Sequence, residues 1–127
     1  MSTTYLCGGI NGLTDSEATD WRTEAKRLLK TDTLDPMRRD YRGKEDESVD
    51  EIGAGDLEDI NNSDFLLVNA TRPSFGTAME IVYATLWDKT IYAVVAPGPI
   101  SPWLRYHVNG TFTNLQEACD QINRETQ

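Results

Sequence analysis

Apolar and polar positions follow two rhythms along this chain, one with the period of a strand and one with the period of a helix. "TTYLCG", from Thr3 to Gly8, is a short β-type run ended by glycines and predicts a first strand. In "TDSEATDWRTEAKRLLK" the apolar residues fall at Ala18, Trp21, Ala25, Leu28 and Leu29, the spacing of a helix with one buried stripe. Thr14, followed three residues later by Glu17, predicts a capping box at its start. "DTLDP" predicts a short second strand stopped by Pro36, and residues 37–52 read as a long polar loop. A short helix is expected from about Ala54 to Asn62. The continuous apolar run "DFLLVNA" predicts a strand buried on both faces. "RPSFGTAMEI" follows as loop and then helix to about Trp87. "TIYAVVA" is a further buried strand ended by "PGP", "GTFTN" a last short strand, and "NLQEACDQINRE" a closing helix capped by Asn114.

Strands and helices alternate throughout. That order predicts an α/β fold in which residues 1–127 form one doubly wound domain. Its five-stranded sheet would be mostly parallel, flavodoxin- or Rossmann-like, with helices on both faces. Ligands of such sheets bind beyond the carboxyl ends of the strands. Three stretches belong there: "CGGING" after the first strand, "DPMRRDYRG" after the second and "NATRPSFGT" after the third strong one.

Composition narrows the function classes. The 127 residues are 39% hydrophobic and 26% charged, which suits a folded globular chain with one core. No run approaches a membrane span, and "MSTTYLCGGI" has no basic, apolar leader, so a cytoplasmic protein is expected. Cys7 and Cys119 lie far apart and read as reduced, buried thiols. His107 is the only histidine, which excludes a multi-histidine metal site. The net charge of −9 argues against nucleic acid or an anionic membrane as a partner. That charge is uneven: Glu45 to Thr71 holds nine acids and no Lys or Arg, just after Arg38, Arg39, Arg42 and Lys44. This basic cluster either receives a small anionic ligand or balances the acidic run beside it.

Three features carry candidate chemistry. Gly8, Gly9 and Gly12 make either a ligand-side turn, where backbone N–H groups meet phosphate, or a plain tight turn. Glu80 falls early in its helix, on a face with Gly76, Thr77, Tyr83, Ala84 and Trp87, none of which neutralises a carboxylate. It is either a complement to the helix dipole or a nucleophile facing a cleft. Asp56, expected to open the short helix, is either its cap or the second carboxylate of a glycoside-cleaving pair.

The stretches "YLCGGINGLTD", "LDPMRRDYRG", "DLEDINNSDFLLVNATRPSFGTAMEI" and "SPWLRYH" together resemble the nucleoside 2-deoxyribosyltransferase superfamily, which includes the deoxynucleoside 5′-monophosphate N-hydrolases. The most specific part is the joint pattern of Asp56, "DFLLVNAT" and "PSFGTAME", with Asp56 and Glu80 separated by 24 positions. The resemblance implies that Glu80 attacks C1′ of the deoxyribose. It implies that Asp56 binds the sugar and assists proton transfer to the leaving base, and that Tyr5 orients the nucleophile. Gly8, Gly9 and Asn11 would form the first ligand loop. Gly76 lies in the nucleophile's turn, and Ser74 matches a serine that contacts the 5′-phosphate in the nucleotide hydrolases.

By the same resemblance Arg38, Arg39, Arg42 and Arg72 would supply further phosphate contacts. Ser101, Arg105, His107 and Asn109, in the loop after the last strong strand, would complete a neighbouring subunit's site in a homo-oligomer. The implied partners are a deoxynucleoside or deoxynucleotide and a free nucleobase, with no cofactor and no metal. Ser74 favours the hydrolases, whereas Gly9 and Asn11 depart from their serine and arginine. "DPMRRDYRG" and "SPWLRYH" are similar to small deoxyribosyltransferases, so transfer leads and nucleotide hydrolysis follows. A phosphoribohydrolase ending Gly-Thr-x-x-Glu ranks low, because the paired glycines before that stretch are missing. A receiver-like domain lacks its acid cluster in "YLCGGING". A non-catalytic sensor would more readily have lost Glu80 or Asp56.

Overall fold

The computed structural model describes residues 2–126. Five strands form one sheet, β1 (Thr3–Gly8), β2 (Asp32–Leu34), β3 (Phe65–Asn69), β4 (Thr90–Val94) and β5 (Gly110–Phe112), in the order β2-β1-β3-β4-β5. Every pairing is parallel, not merely most of them. The helices are α1 (Asp15–Leu28), α2 (Val49–Asn61), α3 (Phe75–Leu86), α4 (Pro102–His107) and α5 (Leu115–Glu125). None is long and apolar enough to cross a membrane.

The period of two along each strand divides the core into two layers. Tyr5, Cys7, Leu66, Val68, Ile91, Ala93 and Val95 pack with Ile60 of α2 and Ile81 and Ala84 of α3. Leu6, Phe65, Leu67, Tyr92 and Val94 pack on the opposite face with Ala25 of α1 and with Ala118, Cys119 and Ile122 of α5. Strand order reverses between β1 and β3, so their carboxyl ends open the crevice where ligands of this architecture bind.

Local signals account for most helix starts. Thr14 and Glu17 form the expected reciprocal capping box, and Asn114 accepts the Glu117 N–H at the start of α5. Two expectations need correction. The segment 37–52 is not one long loop: 3₁₀ turns occupy Pro36–Arg38 and Glu45–Glu47, and α2 begins at Val49 instead of Ala54. Gly53 and Gly55 weaken the helical signal there, but Asp50 and Glu51 complement the dipole of the first turn while Leu57 and Ile60 dock on the sheet. The stretch after β4 is likewise not a loop throughout, because Pro102–His107 is helical with Ser101 as its N-cap. The Ser-Pro start of that turn was the available signal.

Candidate active site

Glu80 lies one and a half turns into α3, whose N-cap is Ser74, with the Ser74 hydroxyl accepting the Thr77 N–H. Its side chain points back over the carboxyl half of β1. There the Tyr5 hydroxyl donates to Glu80 Oε2, and the Cys7 thiol lies 3.7 Å from Oε1. No Lys or Arg nitrogen comes within ion-pair distance of this carboxylate among the described residues. Burial therefore dominates, and with help from the charge of Asp56 it pushes Glu80 from 4.5 up to about 7. The Tyr5 hydrogen bond, the Cys7 thiol and the more distant Arg22 pull in the other direction without reversing it. Burial also drives Tyr5 and Cys7 far up, so both stay protonated and both act as donors.

Asp56 stands in the interior of α2 rather than at its start, so it is not a cap. Burial raises its carboxyl, opposed by Arg39 at 3.5 Å. Arg39 reaches α2 because Gly55 leaves space: a Cβ at Gly55 would sit 3.2 Å from the guanidinium. The same guanidinium donates to Asp59 at 2.7 Å, and Arg38 grips Asp59 through two nitrogens at 2.8 and 2.9 Å. Burial works against the charge of Asp59, but these hydrogen bonds outweigh it and hold the group below the usual carboxylate range. Arg42 pairs with Asp40 and Asp15, and Arg72 with Glu17. Every arginine expected at a phosphate thus has a carboxylate partner within the chain, but only Arg38 and Arg39 find theirs in the acidic run that follows the basic cluster.

Gly9, Asn11, Ser74 and Gly76 come together around a cavity of about 410 Å³ between the β1 and β3 loops and the start of α3. A larger, mainly apolar cavity of about 760 Å³ lies between α3 and α4 and includes Ser74, Ser101 and His107. Neither is lined by Glu80 or Asp56, whose charge acts on Glu80 from α2. Gly8 serves packing: a Cβ there would come 2.7 Å from Trp21 Cζ2. Asn109 lies away from the crevice, where its Oδ1 accepts the Ile91 N–H near the amino end of β4. That contact ties the loop before β5 to the neighbouring strand.

Two buried residues near Glu80 carry no functional signal in the sequence. One is Cys7, which reads there only as a packed thiol. Arg22 is 1% exposed beneath β1, donating to Ala18 O at 2.6 Å, Gly8 O at 2.9 Å and Leu6 O at 3.4 Å, with Asp35 at 3.7 Å. A cation on an amphipathic helix ordinarily marks the wet face, so only its place in the apolar stripe beside Trp21 hinted at burial.

The 2-deoxyribosyltransferase of the psychrotolerant bacterium Bacillus psychrosaccharolyticus superposes with a TM-score of 0.75 at 15% identity, covering 94% of this chain and 91% of that one. The Clostridium botulinum CMP N-glycosidase BcmB superposes with a TM-score of 0.63 at 14% identity, covering 95% and 98%. The chain has the fold of these two enzymes. No family model and no curated protein matches the sequence. The deoxyribosyltransferase-like fold is therefore carried by the topology.

Proposed function

We infer that the protein cleaves the N-glycosidic bond of a 2′-deoxynucleoside and transfers the deoxyribose to another nucleobase. The observation that carries this reading is Glu80: a half-buried carboxylate with no cation of its own, held by the Tyr5 hydroxyl and faced by Asp56. An anion so placed stabilises the positive charge that develops at C1′. Its lone pair forms the bond to C1′ as the glycosidic electron pair leaves with the base, and Asp56 passes a proton to that base. The incoming base then attacks C1′ and returns a proton to Asp56, which restores Glu80 and retains configuration.

Hydrolysis of a deoxynucleoside 5′-monophosphate is the second reading, favoured by Ser74 at the smaller cavity and by the fold shared with a CMP N-glycosidase. The pairing of Arg38, Arg39, Arg42 and Arg72 with carboxylates favours an uncharged 5′-hydroxyl, so transfer leads. Incubation with a deoxynucleoside and, separately, its 5′-monophosphate, each with and without a second base, separates the two. A swapped nucleoside supports transfer, and free deoxyribose 5-phosphate supports hydrolysis. If neither substrate loses its base, both readings fail.

The outer side of α3 exposes Phe75, Met79, Val82, Tyr83 and Leu86, continuous with Trp103 and Tyr106 of α4. An apolar stripe of this kind on a helix normally lies against a partner, and a second copy of the chain is the occupant proposed here. Light scattering is expected to give a dimer or larger assembly for the wild type and a monomer for Leu86→Asp. A monomeric wild type would refute the assembly.

A further inference from the structure

We propose that Cys7 is a second positioning residue for Glu80, holding the carboxylate oxygen that attacks the sugar while the Tyr5 hydroxyl anchors the other. This rests on Glu80 being the nucleophile. Tyr5 and Cys7 are two positions apart on β1, so both project onto the face that carries α3, and both are fully buried. The phenol is on Oε2 and the thiol sulfur is 3.7 Å from Oε1. A carboxylate anchored through one oxygen still swings about that bond, whereas donors on both oxygens fix its plane.

The choice of sulfur has a chemical consequence. A thiol is a weak donor, so Oε1 keeps more of its lone-pair density than the phenol-bound Oε2. Oε1 is then the oxygen left to form the bond to C1′. A serine at this position would stop short of the carboxylate, because a C–O bond is shorter than a C–S bond. An alanine would leave Oε1 unheld. Cys119, the other buried thiol, packs on the opposite layer of the core with α1 and provides an internal control.

The test is a carbon-detected titration of the Glu80 carboxyl in protein labelled at glutamate, for wild type, Cys7→Ala and Cys119→Ala. The groups facing Glu80 are Tyr5 and Cys7 from β1, Asp56 from α2 and, through the sheet, Arg22 from α1. Cys7→Ala removes only one of them. Loss of a donor to the charged form is expected to raise the Glu80 midpoint by about half a pH unit, roughly threefold in proton affinity. Cys119→Ala is expected to leave the midpoint in place. With a deoxynucleoside substrate, kcat of Cys7→Ala should fall about three- to tenfold while KM holds, since the sugar contacts are untouched.

A Cys7→Ala titration that superposes on wild type overturns the proposal, as does an equal shift in Cys119→Ala. The wild-type protein supplies a second readout that does not depend on the alanine variant folding. The Raman S–H stretch of Cys7 should move as Glu80 titrates, and one constant from about pH 5 to 9 overturns the proposal equally. A midpoint and a stretch that respond as expected, in a protein that acts on no deoxynucleoside, would leave the Cys7–Glu80 contact intact and refute the nucleophile instead.

Discussion

Glu80→Gln is expected to lose deoxyribosyl transfer by a factor on the order of 10⁴ while becoming more stable at pH 8, because the carboxylate is both the nucleophile and a cost to folding. Glutamine keeps an oxygen for the Tyr5 hydroxyl but cannot form a productive bond to C1′. The stability gain follows from the raised carboxyl. Glu80 titrates near 4.5 when unfolded and at about 7 in the fold, so between these values the native state binds the extra proton. The stabilisation that protonated Glu80 contributes is complete below about pH 4.5 and is lost as pH rises through about 7. At about 1.4 kcal/mol for each pKa unit, the penalty at pH 8 amounts to roughly 3 kcal/mol, which the glutamine variant escapes. Urea unfolding at pH 4.5 and 8 checks it: the two proteins should converge at the lower pH and separate at the higher. Transfer that survives in Glu80→Gln, or sugar trapped on another residue, would overturn the assignment of the nucleophile.

The second large effect is expected at Arg22, on stability before chemistry. Arg22→Met fills much of the same volume but removes the donors to the carbonyl oxygens of Ala18 and Gly8, in a place water does not reach. Losing these buried charge-assisted hydrogen bonds, with Gly8 O left without its side-chain donor, is expected to destabilise the fold by about 2–4 kcal/mol. Asp35 limits the damage, since it keeps Lys26 at 2.6 Å and the Met37 N–H at 2.8 Å. Chemical denaturation measures the loss, and hydrogen exchange should place the loosened amides at the end of β1. Because that strand carries both Tyr5 and Cys7, transfer should fall with stability. A change under about 1 kcal/mol would mean that the buried guanidinium is only tolerated.

These predictions divide between what local sequence encodes and what long-range packing decides. The order of strands and helices, the capping of α1 and α5 and the alternation of core faces along β1, β3 and β4 depend on neighbours within a few residues, so hydrophobic period and cap chemistry expose them. Errors arose where propensity and tertiary docking conflict. Two glycines hid the first turn of α2, and a six-residue helix at Pro102–His107 is too short to show a period. The same limit moved Asp56 from a helix start to a helix interior.

By itself the sequence determined an alternating α/β chain, the crevice loops, and a carboxylate at position 80 among residues unable to neutralise it. Tertiary structure alone decided what each charged group meets. It buried Arg22 under β1 and committed Arg38 and Arg39 to Asp59 on α2. It set Asn109 on the Ile91 N–H near the amino end of β4 and set Tyr5 and Cys7 on the two oxygens of Glu80. Each of these contacts joins residues far apart in sequence or depends on strand register, and burial is what changes a charge's energy by kilocalories. Local pattern can announce an unpaired acid, but only the packed fold can raise its pKa and aim it.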